Sequence, residues 1–349
     1  MVSNRFAMTR ARGMGPLPLF LAREGSACLE RVFSRVGLPV DIARHGEMFM
    51  PLSCMIDLFE AAAQDLGEDF LGLDVGRSMP AEDYGLWVRY AASAPSLKVA
   101  LSRVGRTVWA QQSGAEFCLK AGATHTIWLY RNALTGRHAG RHHSDHVLFP
   151  MIQFVRGFLG PDWLPDWVEV EYSGDTPADK AEEMFGVRFK FDKPGNGFAI
   201  RNSELKARRR HELLCADTVT ISEILADTAE ACNGTDLDAI SNAVTLRLLE
   251  GKSDLDGLAS SFRVSKRTLQ REIDRNGATY QKILERARLG RAVQLISETD
   301  HDVGEIAFSL GYAEPSNFAR AFRAWTDLSP RVFRGRFGRN PVERGRAVS

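Results

Sequence analysis

At 349 residues the chain is long for one compact core, and its 44% hydrophobic and 26% charged side chains are those of an ordinary soluble globular protein, so two domains are expected. The net charge of +1 decides nothing about nucleic acid, but residues 236 to 349 carry 19 Lys and Arg against 15 Asp and Glu, while the remainder carries 26 against 29. Five scattered cysteines (Cys28, Cys54, Cys118, Cys215, Cys232), odd in number and never spaced as CxxC, exclude a disulfide framework or structural zinc site and suit a reducing cytoplasm.

In chain order, residues 1 to 16 read as flexible and contain no signal-peptide-like apolar stretch. Helices are predicted over 17–36, 51–66, 84–92 and 97–111, the last with Val99, Leu101, Val104 and Val108 as its apolar positions. The period then changes to two: 116–120 and 124–131, separated by Ala121-Gly122-Ala123, read as a hairpin. A helix over 143–159, a strand over 166–172, a helix over 177–185 and a second hairpin over 187–202 complete an α+β domain spanning 17–205. The most apolar run, 147–160, is interrupted by Pro150, Gln153 and Arg156, so no transmembrane helix is expected. Residues 206–235 read as a linker. Its basic run, Lys206 to His211, reads first as a solvated helix face. Ile221, Ile224 and Leu225 suggest an amphipathic linker helix before Gly234.

Residues 236–337 are predicted to be all-α and to repeat one plan twice. In the first copy Leu258, Ala259 and Phe262 line one helix, Ser265 caps the next, and Leu269 and Ile273 form the buried i, i+4 pair. Arg267, Gln270 and Arg271 share the opposite face. In the second copy Ile306, Ala307 and Leu310 lead to Gly311, a residue suited to a helix C-terminus. Pro315 then opens a helix with Phe318 and Phe322 inside, while Ser316, Asn317, Arg320 and Arg323 are free to face outward. A continuous helix over 280–297, capped by Thr279, joins the copies; at 1.5 Å per residue it is roughly 27 Å long, enough with its packing to hold two recognition helices about one DNA turn apart. Ser329-Pro330 starts a last short helix anchored by Phe333, and 338–349 is a tail.

The segments LASSFRVSKRTLQR, RARLGRAVQLI and IAFSLGYAEPSNFARAFRAWTDLSPRVFR make residues 237 to 337 resemble the DNA-binding domain of the AraC/XylS transcription regulators. Ile306, Ala307, Gly311, Phe318, Arg320, Phe322, Ser329, Pro330 and Arg334 match strong positions of that signature. Asp327 departs from it, standing where the family commonly has glycine. EDYGLWVRYAASAPSLKVAL, FLGPDWLP and FGVRFKFDKPGNGFAI resemble the arabinose-binding-like sensory domain of one subgroup, which implies effector sensing or dimerisation over about 20–205.

Chemistry other than DNA binding has little support. His142 and His146 lie four apart, as two metal ligands on one helix face would, but no HExxH pattern accompanies them, and solvated or capping histidines are the commoner reading at a helix start. No GxSxG, Walker loop or strand-preceded GxGxxG is present, and Asp74-Val75-Gly76 reads as a loop fragment. No catalytic residue, metal or cofactor is therefore expected. Trp87, Trp109, Trp128, Phe149, Phe154 and Phe158 are candidates for an apolar pocket, with core packing the better single-residue explanation for each. For DNA, Arg267, Gln270 and Arg271 suit base edges, with Ser316, Asn317 and Arg320 at the start of the second recognition helix. Arg320 serves equally as a phosphate or interhelical contact. Lys266, Arg323 and Arg334 suit phosphates, which position the protein without specifying sequence. The expected partners are double-stranded DNA, a small-molecule effector, a second copy of the chain and, for an activator, RNA polymerase. The alternatives are a DNA-binding dimer without an effector and an enzyme regulated by its C-terminal domain.

Overall fold

Phe6, Ala7 and Met8 are each 1% exposed, so the start of the chain is built into the core. The computed structural model describes residues 4–132, 134, 140–173, 178–209, 219–229 and 235–338. Strand β1 (Met8–Arg10) pairs antiparallel with β2 (Phe49–Pro51), and a short 3-10 turn, Ala11–Met14, follows it. This corrects the flexible N-terminus over residues 4–16. Even Arg10 is buried there, its guanidinium held by carboxylates.

The chain divides into two units, Met1–Ala239 and Ile240–Ser349. In the first, the helix expected over 17–36 breaks at Glu24-Gly25 into α1 (Leu17–Arg23) and α2 (Ser26–Arg35). Then come α3 (Leu52–Leu66), α4 (Leu71–Arg77), α5 (Leu86–Ala92) and α6 (Leu97–Thr107). The fragment around Asp74, read as a loop, lies inside α4. β3 (Ala115–Ala121) and β4 (His125–Asn132) form the expected hairpin, and α7 (Arg141–Leu159) follows with Pro150 inside it.

The second expected hairpin does not form. β5 (Val168–Glu169), α8 (Ala178–Phe185), β6 (Phe189–Lys190) and β7 (Asn196–Arg201) build a sheet in the order β3-β4-β7-β5-β6, with only β5 and β6 parallel. β7 therefore slots between β4 and β5 instead of pairing back on β6, because Phe198 and Ile200, both 0% exposed, are needed in the same core as Trp128. Alternation along the strands sends Trp128 and Phe198 to the face that joins Leu148, Ile152 and Val155 of α7, and Ile127, Leu129 and Ala199 to the other. Helix α9 (Ile221–Ala229) belongs to this unit. Its inward residues are Ile224 and Thr228, whereas Ile221 and Leu225 are 41% and 52% exposed, so the apolar stripe expected on the linker helix is split between core and solvent.

The second unit is helical, as expected. α10 (Asp236–Leu248) crosses the boundary, followed by α11 (Leu255–Ser261), α12 (Lys266–Arg275), α13 (Tyr280–Glu298), α14 (Val303–Ser309), α15 (Pro315–Thr326) and α16 (Pro330–Phe337). Six of these helices begin at a side chain that accepts a bond from the first-turn backbone: Thr235, Asp254, Ser265, Thr279, Asp302 and Ser329. Such caps each contribute about 1 kcal/mol and fix where each short helix starts. Asp302 and Glu305 complete a reciprocal capping box.

Candidate nucleic-acid interface

In the first helical pair, α11 and α12, the inner positions Leu258, Phe262, Leu269 and Ile273 are at most 2% exposed. The turn between the helices runs through Arg263, whose φ of 53° is unusual for a residue with a side chain. With the inner face committed, Lys266, Arg267 and Arg271 are exposed on α12 and Gln270 is half-buried. Two of these side chains are already oriented. Lys266 Nζ lies 2.9 Å from an Asp256 carboxylate oxygen, and Gln270 donates from Nε2 to Asp274 at 2.9 Å.

The second pair, α14 and α15, has its own core. Ile306, Ala307, Leu310, Phe318 and Phe322 gather with Ala292 and Ile296 of α13, and Phe333 of α16 closes on Phe322 edge-to-face at 5.3 Å. Ser316, Asn317, Arg320 and Arg323 are exposed on α15, as expected. Asn317 Oδ1 accepts from the Arg320 guanidinium, and Ser316 donates to Glu314 at 3.2 Å. Each recognition helix thus presents an arginine beside an amide, the chemistry that can read guanine and adenine edges in a major groove.

Arg334 has another task. Its Nε donates to the Ile296 carbonyl at 3.2 Å and its terminal nitrogen to the His301 carbonyl at 2.6 Å, which ties α16 to the end of α13. These two bonds hold the guanidinium that the sequence assigned to a phosphate. A residue that the sequence did not single out does more. Arg288 of α13 donates to the Leu310 carbonyl at 3.0 Å and to Ser253 Oγ at 3.4 Å, and lies over the Tyr312 ring at 4.6 Å. Tyr280 donates to the Ser253 carbonyl at 2.8 Å. Gly311, at φ 76°, allows the contact: a Cβ there would come within 2.9 Å of the Gly251 carbonyl. The loop before the first pair and the turn within the second are therefore clasped together, so the two recognition helices share one fixed frame. Arg247, 8% exposed, does similar work on the Asp254 cap, whose carboxyl the Gly257 N–H and Arg247 hold below the usual carboxylate range. Arg288 lies within the RARLGRAVQLI segment of the family resemblance and Asp254 suits a helix cap, but nothing linear points to the bonds they make or to Arg247.

In the first unit, Trp87, Trp128 and Phe154 do line an apolar cavity. Trp109 is 42% exposed, Phe149 stacks on Phe185 at 4.1 Å, and Phe158 is buried in the core, so these three are not part of its wall. The histidines are not solvated. His142, His143 and His146 are all buried, with His142 Nδ1 accepting from Gly72 N–H and His146 stacked on Phe59 at 4.4 Å. The backbone of this stretch packs on α4, where a Cβ on Gly72 or Gly76 would sit 2.1 and 2.3 Å from the carbonyls of His142 and His146. His138 and the rest of 135–139 lie outside the described residues, as do Cys215 and Cys232.

An α+β unit with an apolar cavity, followed in the chain by two clasped helix-turn-helix pairs, defines a two-domain helix-turn-helix regulator. The family model described as the arabinose-binding domain of AraC transcription regulator, N-terminal, matches residues 28–208, and a helix-turn-helix domain model matches 258–336. The chain belongs to the AraC family of transcription regulators. It is 31% identical over 195 residues to the ornithine utilization regulator of Pseudomonas aeruginosa, covering 54% of this chain and 56% of that one. It is 38% identical over 80 residues to the transcriptional activator RhaS of Salmonella arizonae, covering 23% and 29%. The chain thus spans about half the length of the first relative and under a third of the second. Among solved structures, the transcriptional regulator CdpR of Pseudomonas aeruginosa is similar at 18% identity and a TM-score of 0.37, over 80% of this chain and 90% of that one.

Proposed function

We propose that the protein is a sequence-specific regulator of transcription that binds double-stranded DNA through α12 and α15 and is controlled by a small molecule held in its N-terminal unit. The observation that carries this reading is the Arg288 clasp: two recognition helices with exposed Arg and amide groups share one frame through α13 and the loops at Ser253 and Gly311. A contact to one groove then fixes the position of the other helix. Lys266, Arg267, Gln270, Arg271, Ser316, Asn317, Arg320 and Arg323 are the proposed DNA-facing set. Control by an effector is supported by Arg10. It donates to the Ala110 and Asp227 carbonyls and pairs with the Asp227 carboxylate. Its neighbours Thr9, Gln111 and Gln112 line the cavity, so the cavity wall and α9, the last helix before the boundary, hang on one side chain. The regulator acts in the cytoplasm as a homodimer that joins two such half-sites. Among the described residues, no helix is long and apolar enough to cross a membrane.

Selection of full-length protein on random duplexes, followed by anisotropy titration at several salt concentrations, tests this. The expected outcome is a motif with two informative patches about one helical turn apart, roughly 34 Å. Equal affinity for all duplexes at every salt concentration would reject the reading.

A further inference from the structure

The cavity of the N-terminal unit encloses about 50 Å³ between the sheet and helices α5, α6 and α7. Its wall is mostly aromatic and aliphatic, and none of its lining residues among those described is Asp, Glu, Lys or Arg. Three lining side chains nevertheless keep a buried polar atom without a hydrogen-bond partner: Trp128 Nε1, Gln111 Oε1 and His143 Nδ1. These residues are 2%, 4% and 2% exposed. Buried polar atoms are nearly always paired in folded proteins, so three unpaired ones around one cavity call for an explanation. Other polar groups on the same wall are satisfied: Thr9 donates to Gln112, and Gln112 donates from Nε2 to Tyr130 at 2.9 Å. The cavity is also electrically neutral, since burial lowers the pKa of both lining histidines, to about 4 for His146. A neutral, mostly apolar site does not compensate the desolvation of a charged ligand.

We propose that this cavity is the effector site and that its ligand is a small uncharged ring compound with one oxygen that both accepts and donates a hydrogen bond, as in a phenol or an aryl alcohol. The oxygen accepts from the Trp128 indole N–H and donates to Gln111 Oε1 or His143 Nδ1. The ring packs against Trp87, Phe117 and Phe154. Met55 and Met151, both in the wall, have the unbranched, adaptable side chains that let a small cavity widen around a ring. The proposal rests on the effector-sensing reading above and adds the chemical class of the effector to it. A zwitterionic amino acid or a carboxylate does not fit: no lining side chain carries the opposite charge.

Calorimetric titration of the full-length protein with p-cresol, benzyl alcohol, benzoate and lysine is the test. Saturable 1:1 binding of p-cresol or benzyl alcohol is expected, with benzoate and lysine at least about tenfold weaker. Trp128→Phe, which keeps the ring and removes the N–H, should weaken binding about tenfold, as one lost hydrogen bond does. Gln111→Met tests the same oxygen without altering the aromatic core, and Trp109→Phe, at an exposed position, should bind like the parent. Tighter binding of benzoate or lysine overturns the proposal. So does the absence of saturable binding by either neutral compound, or parent-like binding by both Trp128→Phe and Gln111→Met. Anisotropy on the selected duplex, run in parallel, separates the two readings. Selective DNA binding without neutral-ligand binding defeats the pocket alone, and ligand binding without selective DNA binding supports the pocket while defeating the regulator.

Discussion

Arg267 and Arg271 are exposed on one face of α12, while Lys266, one residue before Arg267, leans on Asp256. The three cations should therefore behave differently on DNA. Arg271→Ala removes the proposed two-bond guanine contact and is expected to cost about 1–3 kcal/mol on the selected site, relaxing selectivity at one base pair. Lys266→Ala should weaken specific and non-specific duplexes alike and lower the salt slope by about one unit. Asn317→Ala should resemble Arg271→Ala about one helical turn away, with a further loss because Arg320 loses the carbonyl that orients it. Titrations on the site and its single-base variants check this; an equal loss on every sequence for Arg271→Ala and Lys266→Ala would make Arg271 a backbone contact. Arg288 makes a different prediction. Arg288→Ala removes charge-assisted bonds to Leu310 and Ser253 and should destabilise the second unit by about 2 kcal/mol. It should also weaken binding to a two-patch site more than to either patch alone, measured by thermal melting and paired titrations. Both recognition faces were legible in the sequence because periodicity assigns a side chain to the inside or the outside of a helix. The tasks of Arg288 and Arg334 were not, because the carbonyls they meet are 22 to 38 residues away in the chain.

Between elements, the turn chemistry explains where the helices stop. Asp327 ends α15 in the left-handed region, at φ 59°, the position where relatives of this fold were expected to carry glycine. Aspartate tolerates that conformation better than most residues, so the turn keeps its shape, at some strain. Asp327→Gly should raise the melting temperature, by up to about 1 kcal/mol in stability, and Asp327→Val should lower it. An unchanged melt for both would mean that Asp327 makes a compensating contact. The caps on α12, α13 and α16 were readable for a similar reason: a Ser or Thr side chain bonds to backbone two or three residues on, so cause and effect lie side by side in the chain. Pairing of β6 with β5 was not readable. Strand propensity marks an extended segment but carries no address for its partner, and the two-residue strands β5 and β6 are short enough for burial of Phe198 and Ile200 to decide the order.

For the molecule as a whole, the buried start of α7 should govern acid sensitivity. His142, His143 and His146 all have folded pKa values depressed by burial, to about 4 for His142 and His146. Their contribution to stability is thus complete above the unfolded value of about 6.5 and is lost as pH falls toward 4. Asp145 acts in the opposite sense: burial raises its carboxyl to about 7 despite Arg141 at 3.4 Å, so its ionisation opposes folding as pH rises from about 4 to 7. Three protons outweigh one, so the melting temperature should fall as pH is lowered from 7 to 4.5. His146→Phe, which suits the stack on Phe59, should flatten that profile by on the order of 3 kcal/mol. Asp145→Asn should stabilise the protein at pH 7 and change little at pH 4. Thermal melts across the range decide it, and a parent profile flat between pH 7 and 4.5 would contradict the neutral-histidine reading.

What the sequence alone determined was the division into an α+β unit and a helical unit, the duplicated helix-turn-helix plan, the helix caps and the outward-facing residues of α12 and α15. Each follows from local rules, a period of 3.6 or 2 or a side chain bonding to nearby backbone, so a linear reading suffices. Only the tertiary structure decided that residues 6–11 are core, that the histidines of α7 are buried, that Arg288 clasps the two helical pairs, and that Trp128, Gln111 and His143 meet around one cavity. Those facts depend on burial and on contacts between distant parts of the chain. The same arginine or histidine is solvated or enclosed according to what packs on it, and no local pattern encodes the neighbour.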